Sequence, residues 1–155
     1  LCGYKFSIKC VENLVKKFPE QIVGVKDSSY NLFENLSIEN FSVMPGSELK
    51  LLRGLEKGCS GIITATCNAT AQLARKVYDD YQNDKEQSLN QKLIDVRNSF
   101  EKYNLISALH TLFSIDDKIY ENLLPPLSLL NDNDKKNLMQ NLKDLNFETK
   151  SQLAA

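Results

Sequence analysis

The sequence has 155 residues, of which 42% are hydrophobic and 25% charged, the size and balance of one ordinary folded domain and not of a disordered chain. Its 19 basic and 20 acidic residues give a formal net charge of -1 without a basic stripe or an acidic tail, so neither nucleic acid nor an anionic membrane is an expected partner. No apolar run approaches the ~20 residues that a membrane span requires.

The first predicted element is a helix from Ser7 to Phe18, with Ser7 as N-cap, Pro19 as stop, and Ile8, Val11, Leu14, Val15 and Phe18 on one face. Ile22-Val23-Gly24-Val25-Lys26 then reads as a short strand that ends in the turn formers Asp27, Ser28 and Ser29. Ser29 opens a short helical stretch carrying Leu32, Phe33 and Leu36. Phe41 to Met44 is a second strand, stopped by Pro45-Gly46, and Ser47 caps a helix that buries Leu51, Leu52 and Leu55 and ends at Lys57-Gly58. Gly61 to Ala65 is the third expected strand, and a helix follows from about Thr70 with Leu73, Ala74, Val77, Tyr78 and Tyr81. Strands alternating with helices at this spacing argue for parallel β/α units.

The remainder reads as helical. Asp84 to Tyr103 places Leu89, Leu93, Val96 and Phe100 on one stripe; Asn104 caps a helix with Ile106, Leu109 and Phe113; a short one carries Ile119, Tyr120 and Leu123. Leu124-Pro125-Pro126-Leu127 interrupts the chain before a last helix that starts at Asp132 or Asn133 and bears Leu138, Leu142 and Leu145. These leucine stripes are spaced as core, which argues against an exposed helical docking module. Three parallel strands with helices on one side only would leave the sheet half covered, so the pattern implies a partner or a larger barrel.

Cysteines at 2, 10, 59 and 67 form no C-x-x-C pair and His110 is the only histidine, so a zinc site is not expected and free thiols in a reducing cytoplasm are. No targeting segment is expected from the residues at Leu1 onward.

The residue that bears chemistry is Lys26. In a strand Ile22, Gly24 and Lys26 share one face and Val23 and Val25 the other, and Gly24 leaves room beside the lysine stem. A lysine at the C-terminal end of a parallel strand stands where α/β enzymes place their reactive groups, and a desolvated amine can attack a carbonyl to form a Schiff base. The alternative is a solvated lysine, or one paired with Asp27.

Val23-Gly24-Val25-Lys26-Asp27-Ser28-Ser29 resembles the Schiff-base lysine segment of the dihydrodipicolinate synthase/N-acetylneuraminate lyase family, and the resemblance continues in register through Phe41 to Gly46 and Gly58 to Asn68. It implies an α/β fold, the C-terminal part of a (β/α)8 TIM barrel with strands six to eight over residues 1–83, a helical extension over 84–147 and a frayed tail over 148–155. The chain would then be a fragment of a longer protein, inactive alone. By the same resemblance Lys26 forms an imine with pyruvate, whose enamine joins an aldehyde or is released from one. The imine is the electron sink, so neither a cofactor nor a metal is implied.

Gly46 is similar to the pocket-lining glycine after strand seven, and Ile63 to the strand-eight residue whose backbone lies against pyruvate. Their alternatives are a turn residue after Pro45 and a core residue. Glu48 stands where the sialic acid lyases have a carboxylate for sugar hydroxyls, although Leu49 and Ala65 depart from that branch. The relay tyrosine and the threonine pair of the family correspond to positions before Leu1, and neither Tyr4 nor Tyr30 occupies them. Tyr30 replaces a frequent glycine and is placed to reshape the mouth of the site. Leu1 stands where dihydrodipicolinate synthases carry an arginine for the aldehyde's carboxylate.

A dihydrodipicolinate synthase-like pyruvate lyase or synthase is therefore the first expectation. A keto-deoxy sugar acid or sialic acid aldolase is the alternative within the family, and a non-catalytic ligand-binding paralogue the alternative outside catalysis. The expected partners are small molecules, pyruvate and an aldehyde, with homo-oligomerisation of the full-length protein.

Overall fold

The computed structural model describes residues 3–148, so Leu1, Cys2 and nearly all of the expected tail lie outside the described residues. The chain divides into two compact units, one up to Thr64 and one from Ala65 onward.

In the first unit, helix α1 (Ile8–Lys17) starts on Ser7, whose hydroxyl accepts from the Cys10 N–H at 3.2 Å. Strands β1 (Gly24–Asp27) and β2 (Ser42–Pro45) pair in parallel, with Lys26 opposite Met44 and Val25 opposite Val43. Val11 of α1, Val43, Leu32, Phe33, Leu36 and Cys59 form its core, and Ile8, Val15 and Val25 pack against it. One face of the two-stranded sheet is thus apolar, and the other carries Gly24, Lys26, Ser42 and Met44. Phe18, expected on the buried stripe, caps α1 and is 41% exposed.

Leu32, Phe33 and Leu36 are buried as expected, but in a turn and not a helix. Tyr30 adopts a positive φ of 57°, and the N–H groups of Leu32 and Phe33 bond to the Asp27 carboxylate, so no helical ladder starts there. After β2, Ser47 accepts from the Leu49 N–H at 3.3 Å and opens a single 3-10 turn (Glu48–Lys50) that runs into α2 (Leu51–Glu56). Gly58, at φ +81°, follows the end of α2.

The third expected strand, 61–65, is not a regular strand. The segment does run beside β2: Ser60 N–H donates to Val43 O at 3.2 Å and Ile63 N–H to Pro45 O at 3.1 Å. A parallel ladder would alternate these with a bond returned from residue 45, and a proline has no N–H to return. The two bonds also span three residues on one segment against two on the other, one residue too many, with Gly61 at φ +146° between them.

The second unit is helical: α3 (Cys67–Gln82), α4 (Asn90–Phe100), α5 (Leu105–Phe113) and α6 (Asp132–Asp144). Val96, Phe100, Ala108, Leu112, Leu138 and Leu142 make its core. Helix α3 begins three residues before the expected Thr70. It ends at a break where Asp84 takes φ +52° and Lys85 N–H bonds back to Asp80 O, so α4 starts at Asn90 and not at Asp84. Asn104 caps α5 as expected, accepting from the N–H groups of Ile106 and Ser107. The stretch with Ile119 and Tyr120 is a 3-10 turn (Lys118–Glu121) with Ile119 65% exposed, and α6 starts at Asp132 as expected, capped by Asn131.

No helix among the described residues is long and apolar enough to cross a membrane. Cys10, Cys59 and Cys67 are not joined in a disulfide, and the described residues contain no cluster of three metal-ligating side chains.

Candidate active site

The candidate site lies at the C-terminal ends of β1 and β2, and its geometry follows from the alternation along β1. Lys26 is exposed on the face opposite the core, and Asp27, the next residue, is 2% exposed on the core face. The two charges therefore leave the strand in opposite directions, and of the two alternatives for Lys26 the pairing with Asp27 does not occur. The Asp27 carboxylate instead accepts from Ser29 N–H at 3.2 Å, Leu32 N–H at 2.9 Å and Phe33 N–H at 3.0 Å. Three backbone donors on one buried carboxylate fix the loop that follows the lysine strand.

The Lys26 ammonium forms neither an ion pair nor a hydrogen bond among the described residues. The desolvation expected of it is not supplied by residues 3–148, because its face of the sheet is uncovered. Nor does Gly24 leave open room beside it: a Cβ at position 24 would lie 2.8 Å from the Ser42 carbonyl oxygen and 3.1 Å from Ser42 Cβ. The glycine lets the neighbouring strand approach.

Gly46 directly follows β2, and its N–H donates to Asp27 O at 3.0 Å, continuing the ladder past both strand ends. A Cβ there would meet Ser28 Oγ at 3.0 Å and Ser28 Cα at 3.2 Å, so Gly46 serves a close approach of the two post-strand loops and not only a turn after Pro45. Glu48, two residues on, is 1% exposed, and Thr64 Oγ–H donates to its Oε2 at 2.9 Å. Ile63 is 43% exposed and so is not a core residue; its backbone N–H is the group bonded to Pro45 O. Lys26, Gly46, Glu48 and Ile63 are thereby gathered at one end of the parallel pair, by β1, the turn after β2 and the segment beside β2.

Tyr4 is 64% exposed and stacks edge-on against Phe6 at 5.0 Å. Tyr30 is 39% exposed in the loop after β1, with Lys50 Nζ over its ring at 5.6 Å. Three participants were not readable beforehand: Asp27 as loop anchor, Thr64 as donor to Glu48, and Lys50 as partner of Tyr30. Only proximity in space identifies them. Cys59, close under this loop, donates its thiol to Phe33 O at 3.8 Å; burial, and then the negative charge of Asp27, push its pKa up. The thiol is therefore a protonated packing group and not a nucleophile.

The model of the dihydrodipicolinate synthetase family matches residues 1–145. Over 131 residues the chain is 29% identical to a 2-dehydro-3-deoxy-D-gluconate/2-dehydro-3-deoxy-phosphogluconate aldolase of Picrophilus torridus, an alignment covering 79% of this chain and 48% of that protein. Among solved structures, the 4-hydroxy-tetrahydrodipicolinate synthase of Methylacidiphilum fumariolicum is similar with a TM-score of 0.81 at 19% identity, over 94% of this chain and 51% of that one. YagE, a prophage protein of the dihydrodipicolinic acid synthase family from E. coli solved with pyruvate, is similar with a TM-score of 0.76 at 20% identity, over 96% of this chain and 54% of that one. The chain thus spans about half the length of the relatives it matches, and its fold fits part of a TIM barrel.

Proposed function

The chain belongs to the dihydrodipicolinate synthetase family, and from that premise we propose that it carries the Schiff-base half of a pyruvate-dependent lyase, with β1, β2 and the segment beside β2 as strands six to eight of the barrel. The observation that carries this reading is Lys26: an ammonium without a partner among the described residues, on the sheet face opposite the core, at the C-terminal end of a parallel strand.

The chemistry follows from that amine. Deprotonated Lys26 Nζ adds to the ketone carbon of pyruvate, and loss of water leaves an imine. The protonated imine withdraws electrons from the adjacent methyl, which loses a proton to give an enamine. The enamine carbon forms a bond to the aldehyde carbon, whose oxygen takes up a proton, and water then hydrolyses the imine and frees Lys26. In reverse the same steps cleave a 4-hydroxy-2-oxo acid into pyruvate and an aldehyde. The close packing of Gly46 on Ser28 holds the two post-strand loops around the amine, and Ile63 presents backbone beside it. The rest of the barrel wall supplies the desolvation that residues 3–148 lack, together with the proton-relay groups. Full-length homo-oligomers and a cytoplasmic setting belong to the same proposal.

A keto-deoxy sugar acid, cleaved to pyruvate and a hydroxylated aldehyde, is the favoured substrate over the condensation with an aldehyde whose carboxylate is clamped by an arginine. The Picrophilus relative is named as an aldolase of 2-dehydro-3-deoxy acids, and the position of the clamp holds Leu1, which lies outside the described residues. Glu48, which the resemblance set against sugar hydroxyls, is 1% exposed and accepts from Thr64, so in this proposal it braces the turn after β2 and does not itself meet the aldehyde.

The test is borohydride reduction of the full-length protein with pyruvate, followed by peptide mass mapping. An adduct of reduced pyruvate on the peptide holding Lys26, lost in Lys26→Ala, is the expected result. A folded protein that forms no adduct would overturn the lyase reading in favour of a non-catalytic ligand-binding paralogue.

A further inference from the structure

Resting on the lyase reading above, we infer that Asp27 is the positioning residue of the imine-forming step: its buried carboxylate holds the loop after β1, and through that loop the Gly46 wall, in place against the Lys26 amine.

What ties this loop down is the carboxylate. Residues 29–33 have neither a helical nor a strand ladder, and each backbone N–H among them that makes a hydrogen bond within the described residues gives it to Asp27. Ser29 donates to Oδ1 at 3.2 Å, and Leu32 and Phe33 to Oδ2 at 2.9 and 3.0 Å. Leu32 and Phe33 are buried, so without the carboxylate their N–H groups would be left unsatisfied away from water. The loop also keeps Tyr30 at φ 57°, a conformation that a bulky residue holds only where its surroundings impose it. At 2% exposure the carboxylate is out of water as well, and three converging donors fix its direction.

Asp27 reaches the site by three routes. Along the chain it is the neighbour of Lys26. Its carbonyl oxygen accepts from Gly46 N–H at 3.0 Å, which joins the loop after β1 to the loop after β2. Ser28, the first residue of the anchored loop, packs so closely on Gly46 that a Cβ there would lie 3.0 Å from Ser28 Oγ. A shift of the loop is therefore passed to Gly46, the group assigned to the pocket wall, with little slack at the contact. The same three N–H groups keep the carboxylate on the core face, away from an amine that must lose its proton to attack. An ion pair between the two neighbours would instead favour the charged lysine. Misplacement of the reacting groups by about 1 Å costs up to about a hundredfold in rate, so such an anchor acts on the rate of imine formation.

The test is timed borohydride trapping of pyruvate on the full-length protein. It yields the maximal rate of adduct formation on the Lys26 peptide, per folded protein, and the pyruvate concentration that gives half that rate. Asp27→Asn keeps an acceptor for Leu32 and Phe33 but not for Ser29, and should lower the maximal rate about threefold to tenfold. Asp27→Ala keeps none and should lower it further, with the half-saturating concentration changed less than the rate; if it does not fold, Asp27→Asn carries the test. Leu138→Ala, in the core of the helical unit, is the control: its denaturation midpoint should fall while the maximal rate of the folded protein stays at the wild-type value. A wild-type rate in folded Asp27→Asn, or a loss in Leu138→Ala as large as in Asp27→Asn, would overturn the positioning role. No adduct in the wild type overturns the lyase reading and the positioning role together, whereas a wild-type adduct with unchanged rates in the Asp27 variants overturns the positioning role alone.

Discussion

The hydroxyl of Thr64 donates to Glu48 Oε2 across 2.9 Å, joining the turn after β2 to the segment that runs beside β2 without a full ladder. Pro45 removes one backbone bond from that seam, and a side-chain bond to a carboxylate that is 1% exposed helps hold the two pieces together. Replacing Thr64 with the isosteric Val withdraws a donor from a buried charged group, a loss of about 1–3 kcal/mol. Glu48→Gln keeps an acceptor for the same hydroxyl and should cost less. Urea denaturation of both variants in the full-length protein checks the order, and a Thr64→Val midpoint equal to wild type would mean the bond contributes nothing.

Cys59 gives the fold an alkaline limit. Its pKa is raised, first by burial and then by the charge of Asp27, from an ordinary value of 9.0. Above pH 9 the unfolded chain releases this proton while the folded chain still holds it, so the folded state binds more protons and stability falls with rising pH. Below pH 9 both states hold the proton and the contribution is flat. Stability curves from pH 7 to pH 10.5 should show a steeper alkaline decline in wild type than in Cys59→Ala. The same burial predicts that iodoacetamide alkylates the half-buried Cys10 well before Cys59 under native conditions.

Much of this geometry is written in the sequence, and the parts that are not have identifiable causes. The alternation that sets Lys26 apart from Val25 needs only the period of a strand, and the caps at Ser7 and Asn104 need only a local donor. Asp27 is different: Lys-Asp in a row reads equally as an ion pair or as a cap, and only the path of residues 28–33 brings three N–H groups to the carboxylate. Leu32, Phe33 and Leu36 have helical spacing and are buried, yet Tyr30's positive φ and the Asp27 bonds leave them in a turn. The missing ladder at 60–63 was visible in principle, because Pro45 cannot donate to a strand on its far side. Apolar content alone made Gly61 to Ala65 look like a regular strand.

Gly24 and Gly58 should respond to the same substitution for different reasons. Alanine at 24 drives a Cβ to 2.8 Å from the Ser42 carbonyl, which is backbone in the paired strand and cannot swing aside. The strands must separate, at a cost of about 1–3 kcal/mol. At Gly58 nothing lies within 4 Å of the new Cβ, and the cost is that of φ +81°, about 1 kcal/mol. Denaturation midpoints should therefore fall further for Gly24→Ala. In the trapping experiment Gly24→Ala should also slow adduct formation, because Lys26 shares the displaced strand, whereas Gly58→Ala should not.

Tyr30→Gly tests whether the tyrosine is there for the fold or for the site. A bulky residue in the left-handed region costs about 1–2 kcal/mol, which glycine recovers. Against this stand the extra unfolded-state freedom of glycine, about 0.5–1 kcal/mol, and the lost contact under Lys50, about 0.5–1 kcal/mol at an exposed position. The three contributions nearly cancel, so the denaturation midpoint should hardly move. Tyr30→Val keeps the strain, adds β-branching and loses the ring, and should be less stable by about 1–2 kcal/mol. If Tyr30→Gly instead unfolds as readily as Tyr30→Val, the ring is part of the packing. A midpoint that stays with wild type leaves the ring to the mouth of the site, where it lies under Lys50.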